Sequence, residues 1–165
     1  MALEQLATKP WSNNLATSPA RSMWPSAYGR EQVYPGNNFD YHLIPFEAAF
    51  AAGTSQIMPY YGMPVGTLYE EVGFSYSKGI ITDLLRQHYG FDGVVCSDWG
   101  LVTDRQIMGR TMYARAWGVE HLSRLERGKK IIDAGVDQFG GEECPDLVVE
   151  LVRSGQISEA RIDES

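Results

Sequence analysis

The amino-acid sequence predicts an α/β fold, in which short buried strands alternate with helices along the chain. Three apolar runs recur, with the sequences TSQIMPYY, GVVCSDW and VDQFGG. They lie about forty residues apart, which is the size of one βα unit in a (β/α)8 barrel. The runs are continuous rather than alternating, as expected for strands that are covered on both faces. A closed barrel needs eight strands and about 250 residues, so a chain of 165 residues predicts an incomplete barrel.

Helices are predicted where apolar residues recur at helical spacing and a glycine follows. The first begins at Phe39, and the third covers VEHLSRLERGKKIIDAG. Glycine is the usual residue after a helix because it adopts left-handed backbone angles. The glycines that end the four predicted helices are Gly53, Gly90, Gly135 and Gly155. Pro145 suits the first turn of the fourth helix, and Ser158 suits the N-cap of one more.

The N-terminal segment differs from the rest of the chain. Residues 1–38 are rich in Pro, Ser, Asn and Gly and show no sustained helical or strand period. This pattern predicts an irregular segment. Residues 39–165, by contrast, carry all the predicted strands and helices.

Composition and charge exclude several classes of partner. The formal net charge is −7 and no basic stripe occurs, which argues against binding to nucleic acid or to an anionic membrane surface. No apolar run approaches the roughly 20 residues that span a bilayer. No basic stretch followed by an apolar one indicates a secretory signal, so a chain complete as given would be cytoplasmic. Cys96 and Cys144 do not have the spacing of metal ligands, and no metal site is expected.

Each predicted strand ends in aromatic or polar residues that a buried strand does not require. The strand tips carry Tyr60-Tyr61, Asp98-Trp99 and the stretch 138–142. Sites in barrels and in open α/β sheets gather at the carboxyl ends of the strands, so the tips predict one shared site. A carboxylate beside a large aromatic ring is suited to sugar cleavage. Two structural alternatives are open at this point: Asp98 caps a following helix or loop, and Trp99 and Tyr61 pack in the core.

Several other ionisable residues are not part of the predicted site. Glu142 and Glu143 follow the last strand and are acid/base candidates, but solvated loop positions, or the first turn of the helix that opens at Pro145, suit them better. Asp92 suits the turn that enters the second strand. The histidines lie on predicted helices, away from the strand tips, and no pair of them has metal-ligand spacing; they are His42, His88 and His121.

The segment GFDGVVCSDWG resembles the nucleophile motif of glycoside hydrolase family 3, the β-glucosidase family. Other segments resemble this family in the same order along the chain. LIPFEAAFAAGTSQIMPYYGMPVG is similar to the preceding helix and the Ile-Met-x-x-Tyr strand, and KGIITDLLRQHYGFDG to the helix before the nucleophile strand. AGVDQFGG is similar to the last barrel strand, and LVRSGQISEARIDES to the helical segment that leaves the barrel. The resemblance covers residues 28–165 and implies the last three βα units of a (β/α)8 barrel, with residues 39–165 as the C-terminal portion of the barrel domain.

The resemblance also implies roles for three residues. Asp98 would be the nucleophile of a retaining glycosidase, which forms a covalent glycosyl-enzyme while a second carboxyl about 5 Å away acts as acid and base. Trp99 would pack on the sugar or form a wall of its pocket, and Tyr61 would lie near the nucleophile. The implied substrate is a β-linked glucoside or oligosaccharide with a terminal glucosyl or xylosyl unit, and no cofactor is implied.

The isolated chain is expected to be an inactive fragment, because the family's acid/base residue usually follows the barrel and its Lys-His-Phe substrate-binding segment is missing from the sequence. The alternative is a non-catalytic remnant that binds sugar or a partner chain. In either case, the open edges of a three-stranded layer are expected to favour self-association.

Overall fold

The computed structural model describes residues 29–165, which form an α/β fold of short strands and helices. The strands are β1 (Glu31–Val33), β2 (Gln56–Ile57), β3 (Met63–Val65), β4 (Val94–Val95), β5 (Arg105–Ile107) and β6 (Arg110–Met112). The helices are α1 (Ile44–Ala51), α2 (Gly79–His88), α3 (Arg124–Ala134), α4 (Pro145–Arg153) and α5 (Glu159–Asp163). Single 3-10 turns cover Pro35–Asn37, Asp40–His42 and Phe74–Tyr76.

The three predicted strand positions lie side by side and parallel. β2 pairs with β4 in the register Gln56 to Val94 and Ile57 to Val95. On the other side, Cys96 forms a parallel bridge with Gln138. The segment that carries the predicted nucleophile therefore lies between the other two strands, and their carboxyl ends meet at one edge. This arrangement confirms the α/β prediction, although each ladder is only a few residues long.

A second parallel pair was not predicted. β1 pairs with β3 in the register Glu31 to Met63 and Val33 to Val65. β1 lies in the part of the sequence for which no regular element was predicted, because a three-residue strand is too short to show a period of two. Gln32 at its centre is 2% exposed. Residues 1–28 of the predicted irregular segment lie outside the described residues.

The predicted helices are present, and two of them begin later than the sequence pattern indicated. The first α-helix begins at Ile44, not Phe39, since proline at its first turn favours a helix start there. α3 begins after Ser123, whose hydroxyl accepts the Glu126 N–H at 3.3 Å while the Glu126 carboxylate accepts the Ser123 N–H at 2.8 Å. This reciprocal capping box ends the preceding loop and fixes the start of the helix.

The helix ends and the last short helix follow the sequence prediction. Gly135 ends α3 with a φ of 103°, a left-handed conformation that favours glycine. Ser158 caps α5, as predicted, because its side chain accepts the Arg161 N–H at 3.2 Å. α2 differs from an ordinary α-helix in that it has π-type hydrogen bonds, one of which joins the Tyr89 N–H to the Leu84 carbonyl.

The helices pack on the parallel ladder through a core of aliphatic side chains. Ile81, Val95, Ile131 and Leu151 are each 0% exposed and come from α2, β4, α3 and α4. At the amino end of β4, Arg86 of α2 contacts Asp137 at 2.6 Å. The Asp137 carboxylate also accepts the Val95 N–H at 2.7 Å. The end of the ladder opposite the strand tips is therefore fixed by charged groups.

A β-hairpin follows the segment that carries Asp98 and was not predicted. β5 and β6 are antiparallel, with Arg105 opposite Met112. Met108 in the turn has a φ of 52° and is 99% exposed. Within the described residues, no helix begins between Asp98 and Ser123. None of the described helices has the length and the apolar character that crossing a membrane requires.

Candidate active site

Asp98 lies at the tip of the central strand position, two residues beyond the Cys96 bridge. It is 5% exposed, and its Oδ1 accepts the Trp99 N–H at 2.7 Å. Since successive side chains of an extended segment point to opposite faces, Asp98 shares a face with Cys96, whereas Ser97 points into the core. Burial, followed by the nearby Asp98 carboxylate, raises the pKa of the Cys96 thiol. Asp98 does not cap a helix, since no helix follows it within the described residues. Its hydrogen bond from the Trp99 N–H fits the other structural alternative, in which Asp98 caps the loop that follows it.

Ser97 fixes the backbone on which Asp98 is carried. Its side chain is completely buried, accepts the Gly140 N–H at 2.9 Å and donates to the Asp98 carbonyl at 3.1 Å. The Ser97 N–H donates to the Gln138 carbonyl at 2.8 Å. The tip of the third strand therefore holds Ser97, and the Ser97 hydroxyl in turn holds the Asp98 carbonyl.

Trp99 is half-exposed, at 53% of its surface, so it is not a core residue. One side of its ring packs on two glycines: a Cβ on Gly141 would lie 2.4 Å from Cε3 of Trp99, and a Cβ on Gly140 would lie 2.9 Å from the same atom. These positions admit the indole only because no side chain is present. The ring is thus supported from the protein side while about half of it stays accessible.

Tyr61 is buried, at 6% exposed, and its ring packs against Tyr60 and Trp117. The ring of Tyr61 therefore packs in the core, as the structural alternative expected. Its hydroxyl, however, accepts a hydrogen bond from Nη1 of Arg115 at 3.1 Å. The same nitrogen lies 3.4 Å from the Trp99 carbonyl, which it also contacts as a donor.

Arg115 thereby brings together two predicted strand tips. It was missed at the sequence level, because it lies in a segment for which neither a strand nor a helix was predicted. No spacing or motif around it in the sequence YARAWG distinguishes it from a surface arginine. Only the return of the chain after β6, where the Arg115 N–H donates to the Gly100 carbonyl at 2.8 Å, places it here.

Glu142 occupies a position different from the predicted one. Its side chain is 0% exposed, so the prediction of a solvated loop carboxylate is wrong. Oε1 accepts the Val102 N–H at 2.8 Å and the Thr103 N–H at 3.4 Å, and Oε2 accepts the Thr103 hydroxyl. Arg105 lies 3.8 Å away. The loop that follows Trp99 covers this carboxylate, and that loop was not predicted; Glu143 beside it is exposed.

The other residues that were set aside lie away from this edge. Asp92 is exposed, at the amino end of β4. His42 packs edge-on against Tyr34, while His88 and His121 are exposed. Among residues 29–165, no group of three or more His, Cys, Asp or Glu side chains is arranged to hold a metal ion.

The arrangement presents the buried Asp98 carboxylate at a strand tip that also carries the half-exposed Trp99 indole. The Tyr61 phenol lies at the neighbouring strand tip and is held by the Arg115 guanidinium, which also contacts the Trp99 carbonyl. A carboxylate in a fixed position can attack an electrophilic carbon, and an indole provides a flat apolar surface on which a sugar ring can pack. The carboxylate of Glu142 already accepts several hydrogen bonds from the protein, so it is a support for the loop rather than an exposed acid.

Comparisons with known proteins agree on one family. The description "Glycosyl hydrolase family 3 N terminal domain" belongs to a family model that matches residues 30–165. The chain is 64% identical over 138 residues to β-glucosidase C of Emericella nidulans, which covers 84% of this chain and 22% of that protein. It is 39% identical over 166 residues to the periplasmic β-glucosidase/β-xylosidase of Dickeya chrysanthemi, covering 88% of this chain and 25% of that protein.

A solved structure gives the same result for the fold. The structure of a β-glucosidase from Erythrobacter marinus superposes with a TM-score of 0.57 at 31% sequence identity, over 74% of this chain and 15% of that chain. The chain therefore spans only about a quarter, or less, of the proteins that it resembles. Because the family model matches most of the sequence, this chain belongs to glycosyl hydrolase family 3.

Proposed function

We propose that this segment carries the nucleophile of a retaining β-glycosidase and that Asp98 is that nucleophile. The observation that supports the proposal best is the position of Asp98: it is 5% exposed at the tip of the central strand, on a main chain held by Ser97 and Gly140. Rigid placement of a nucleophile against the reacting carbon supplies much of the rate of such a reaction. The carboxylate attacks the anomeric carbon, and the glycosidic bond to the leaving oxygen breaks.

A retaining mechanism needs a second carboxyl group about 5 Å from the first, which protonates the leaving oxygen and later deprotonates water. Glu142 does not suit this role, since its carboxylate is fully buried and bound by Val102 and Thr103. In agreement with the family resemblance, the proposal assigns the acid/base to a part of the protein other than residues 29–165. We expect the 165-residue chain alone to show little or no turnover, because general acid catalysis contributes about 10²- to 10⁴-fold.

The substrate proposed is a β-linked glucoside or oligosaccharide with a terminal glucosyl or xylosyl unit. The half-exposed Trp99 ring suits packing against a sugar face, and the Tyr61 hydroxyl lies at the neighbouring strand tip. The relatives named above are a β-glucosidase and a β-glucosidase/β-xylosidase, which supports this class of substrate. The names of these relatives do not favour the alternative, in which the chain is a non-catalytic sugar-binding remnant.

The proposal also concerns the fold of the whole protein. We place residues 39–165 in the C-terminal portion of a (β/α)8 barrel, as its last three βα units. The parallel positions at β2, β4 and Gln138 support this placement, because their carboxyl ends gather the candidate residues at one edge. Outside such a barrel, the exposed edges of this ladder are proposed to drive self-association of the chain.

The test uses a chimera in which residues 30–165 replace the matching segment of β-glucosidase C from Emericella nidulans. An activated 2-deoxy-2-fluoro-β-glucoside should form a stable covalent adduct, because the fluorine destabilises the oxocarbenium-like transition state of hydrolysis. Mass spectrometry should find the label on the peptide that contains Asp98. Asp98→Asn should fold but take up no label, whereas the matched variant Asp92→Asn should be labelled normally. Labelling of the folded Asp98→Asn variant would show that another residue is the nucleophile.

A further inference from the structure

Arg115 is held at the candidate active site by contacts from both its backbone and its side chain. Its N–H donates to the Gly100 carbonyl at 2.8 Å, immediately after Trp99 in the chain. Its guanidinium carbon lies 4.6 Å from the centre of the Tyr61 ring. One nitrogen, Nη1, contacts the Tyr61 hydroxyl at 3.1 Å and the Trp99 carbonyl at 3.4 Å. The residue is half-buried, so these contacts are partly shielded from water.

The chemistry of a guanidinium determines the direction of the hydrogen bond between Arg115 and Tyr61. Arginine has only donors, so the Tyr61 oxygen must be the acceptor. The phenolic hydrogen is consequently directed away from Arg115. A hydroxyl that accepts from a cation is also polarised, which makes it a stronger donor to its next partner. The Trp99 carbonyl that the same Arg115 nitrogen contacts belongs to the neighbouring strand tip, which also carries Asp98.

We propose that Arg115 is a positioning residue, which holds the Tyr61 hydroxyl so that it donates its hydrogen toward the Asp98 carboxylate during glycosyl transfer. This inference rests on the proposed function of Asp98. It assigns Arg115 no contact with substrate: the residue acts through the hydroxyl of Tyr61. Stacking on the Tyr61 ring fixes the plane of the guanidinium, and the Trp99 carbonyl fixes its distance from the nucleophile segment.

A double-mutant cycle in the chimera tests this inference. Arg115→Ala should lower kcat/KM for an aryl β-glucoside by about 10- to 100-fold, the range for a lost charge-assisted hydrogen bond, with the loss mainly in kcat. Tyr61→Phe keeps the ring on which Arg115 stacks and removes only the hydroxyl. In the Tyr61→Phe background, Arg115→Ala should therefore cost less than about threefold. Full additivity of the two losses would overturn the inference.

Chemical rescue of the activity of Arg115→Ala gives a second test. If Arg115 had a purely structural role, added guanidinium would not restore activity. Guanidinium at a concentration far below denaturation should restore part of the activity of Arg115→Ala, and sodium chloride at equal ionic strength should not. Arg110→Ala, which removes an exposed arginine on the hairpin nearby, should keep full activity and serves as the matched control. Equal responses to the two salts would contradict the inference.

Two further variants cover the case in which Arg115→Ala does not fold and separate the role of Arg115 from that of Asp98. If Arg115→Ala does not fold, Arg115→Lys takes its place in the cycle. Lysine keeps the positive charge but cannot both stack on the Tyr61 ring and contact the two oxygens. Arg115→Lys should therefore lower kcat/KM in the parent chimera, and this fall should be much smaller in the Tyr61→Phe background. Asp98→Asn separates the two proposals. If it is inactive while the cycle is additive, only the role of Arg115 is wrong; if it is active, the nucleophile proposal fails, and the inference about Arg115 with it.

Discussion

Gly140 donates its N–H to the hydroxyl of Ser97 at 2.9 Å, and a side chain at Gly140 would collide with the same residue. A Cβ built on Gly140 lies 2.0 Å from the Ser97 carbonyl oxygen, which is a backbone atom that cannot rotate away. The main chain of the third strand tip therefore lies too close to the main chain of Ser97 to leave room for a side chain at Gly140. Such an approach requires glycine, and it fixes the residue before Asp98.

We expect Gly140→Ala to destabilise the chimera by more than about 2 kcal/mol, since overpacking against rigid atoms typically costs about 1 to 3 kcal/mol. Activity per folded molecule should also fall, because relief of the collision moves Ser97 and with it Asp98. Thermal unfolding and kcat measurement check the two effects. Gly53→Ala is the matched control, since a Cβ there meets nothing within 4 Å and its φ of 79° imposes only the left-handed cost, about 1 to 2 kcal/mol. Unchanged kcat in Gly140→Ala would argue against the support role of this glycine.

Much of the fold could be predicted because it depends on local signals. Gly135 ends a helix whether or not the rest of the protein is known, and Ser158 caps one in the same way. The position of Asp98 followed from an apolar run with a carboxylate at its end. By contrast, β1 pairs with a strand about thirty residues away, and a three-residue strand carries no readable period.

The environment of the site was less predictable, for a physical reason. Arg115 and Glu142 owe their roles to the loop and hairpin between Trp99 and Arg115, whose course is set by long-range contacts. In the sequence, a buried glutamate and a surface glutamate look alike. Only the loop from Leu101 to Arg105, which covers Glu142, distinguishes it from its exposed neighbour Glu143.

The isolated 165-residue chain is expected to self-associate or to remain partly unfolded. Within the described residues, β2 pairs only with β4, so its second edge has no strand partner. Unpaired edges of this kind template association with other chains. Size-exclusion chromatography with light scattering should show dimers or larger species, together with non-cooperative unfolding. A stable monomer with a cooperative transition would indicate a self-contained domain and contradict the proposed barrel portion.

The reactivity of Cys96 reports on the charge of Asp98 without any need for catalysis. Burial, and then Asp98, raise the pKa of this thiol, which lowers the fraction of reactive thiolate at neutral pH. Asp98→Asn removes the second of these causes, so the pKa should fall and alkylation by iodoacetamide at pH 7 should accelerate severalfold. The comparison uses the chimera, and as pH rises the variant chimera should also reach its half-maximal alkylation rate before the parent chimera does.

Peptide mass spectrometry measures this rate for Cys96 alone. Cys144 is 3% exposed and serves as an internal control, since it should stay unmodified while the chimera is folded. Asp92→Asn carries the same change of charge at an exposed position away from the strand tip and should leave the rate unaltered. Equal rates in all three proteins would show that the Asp98 carboxylate is not close enough to influence the thiol.

The last prediction separates support from acid catalysis at Glu142. Removal of its carboxylate in Glu142→Ala leaves the Val102 N–H and the Thr103 donors without their buried acceptor. Each unsatisfied group costs about 1 to 3 kcal/mol, so this variant of the chimera should be clearly less stable. Glu142→Gln retains an acceptor oxygen for Val102 and should be affected less. Glu143→Ala, its exposed neighbour, should stay within about 0.5 kcal/mol of the parent.

The kinetics of these variants decide between the two roles. Loss of an acid/base slows substrates with poor leaving groups far more than activated aryl glucosides, because the latter need little protonation of the leaving oxygen. Displacement of the loop that follows Trp99 should instead slow both classes of substrate by a similar factor, since it disturbs Asp98 and the Trp99 indole. We therefore expect Glu142→Ala to lose activity equally on alkyl and activated aryl β-glucosides, with no restoration by azide. A selective loss on alkyl glucosides that azide reverses would make Glu142 the acid/base and would require the loop over it to open during turnover.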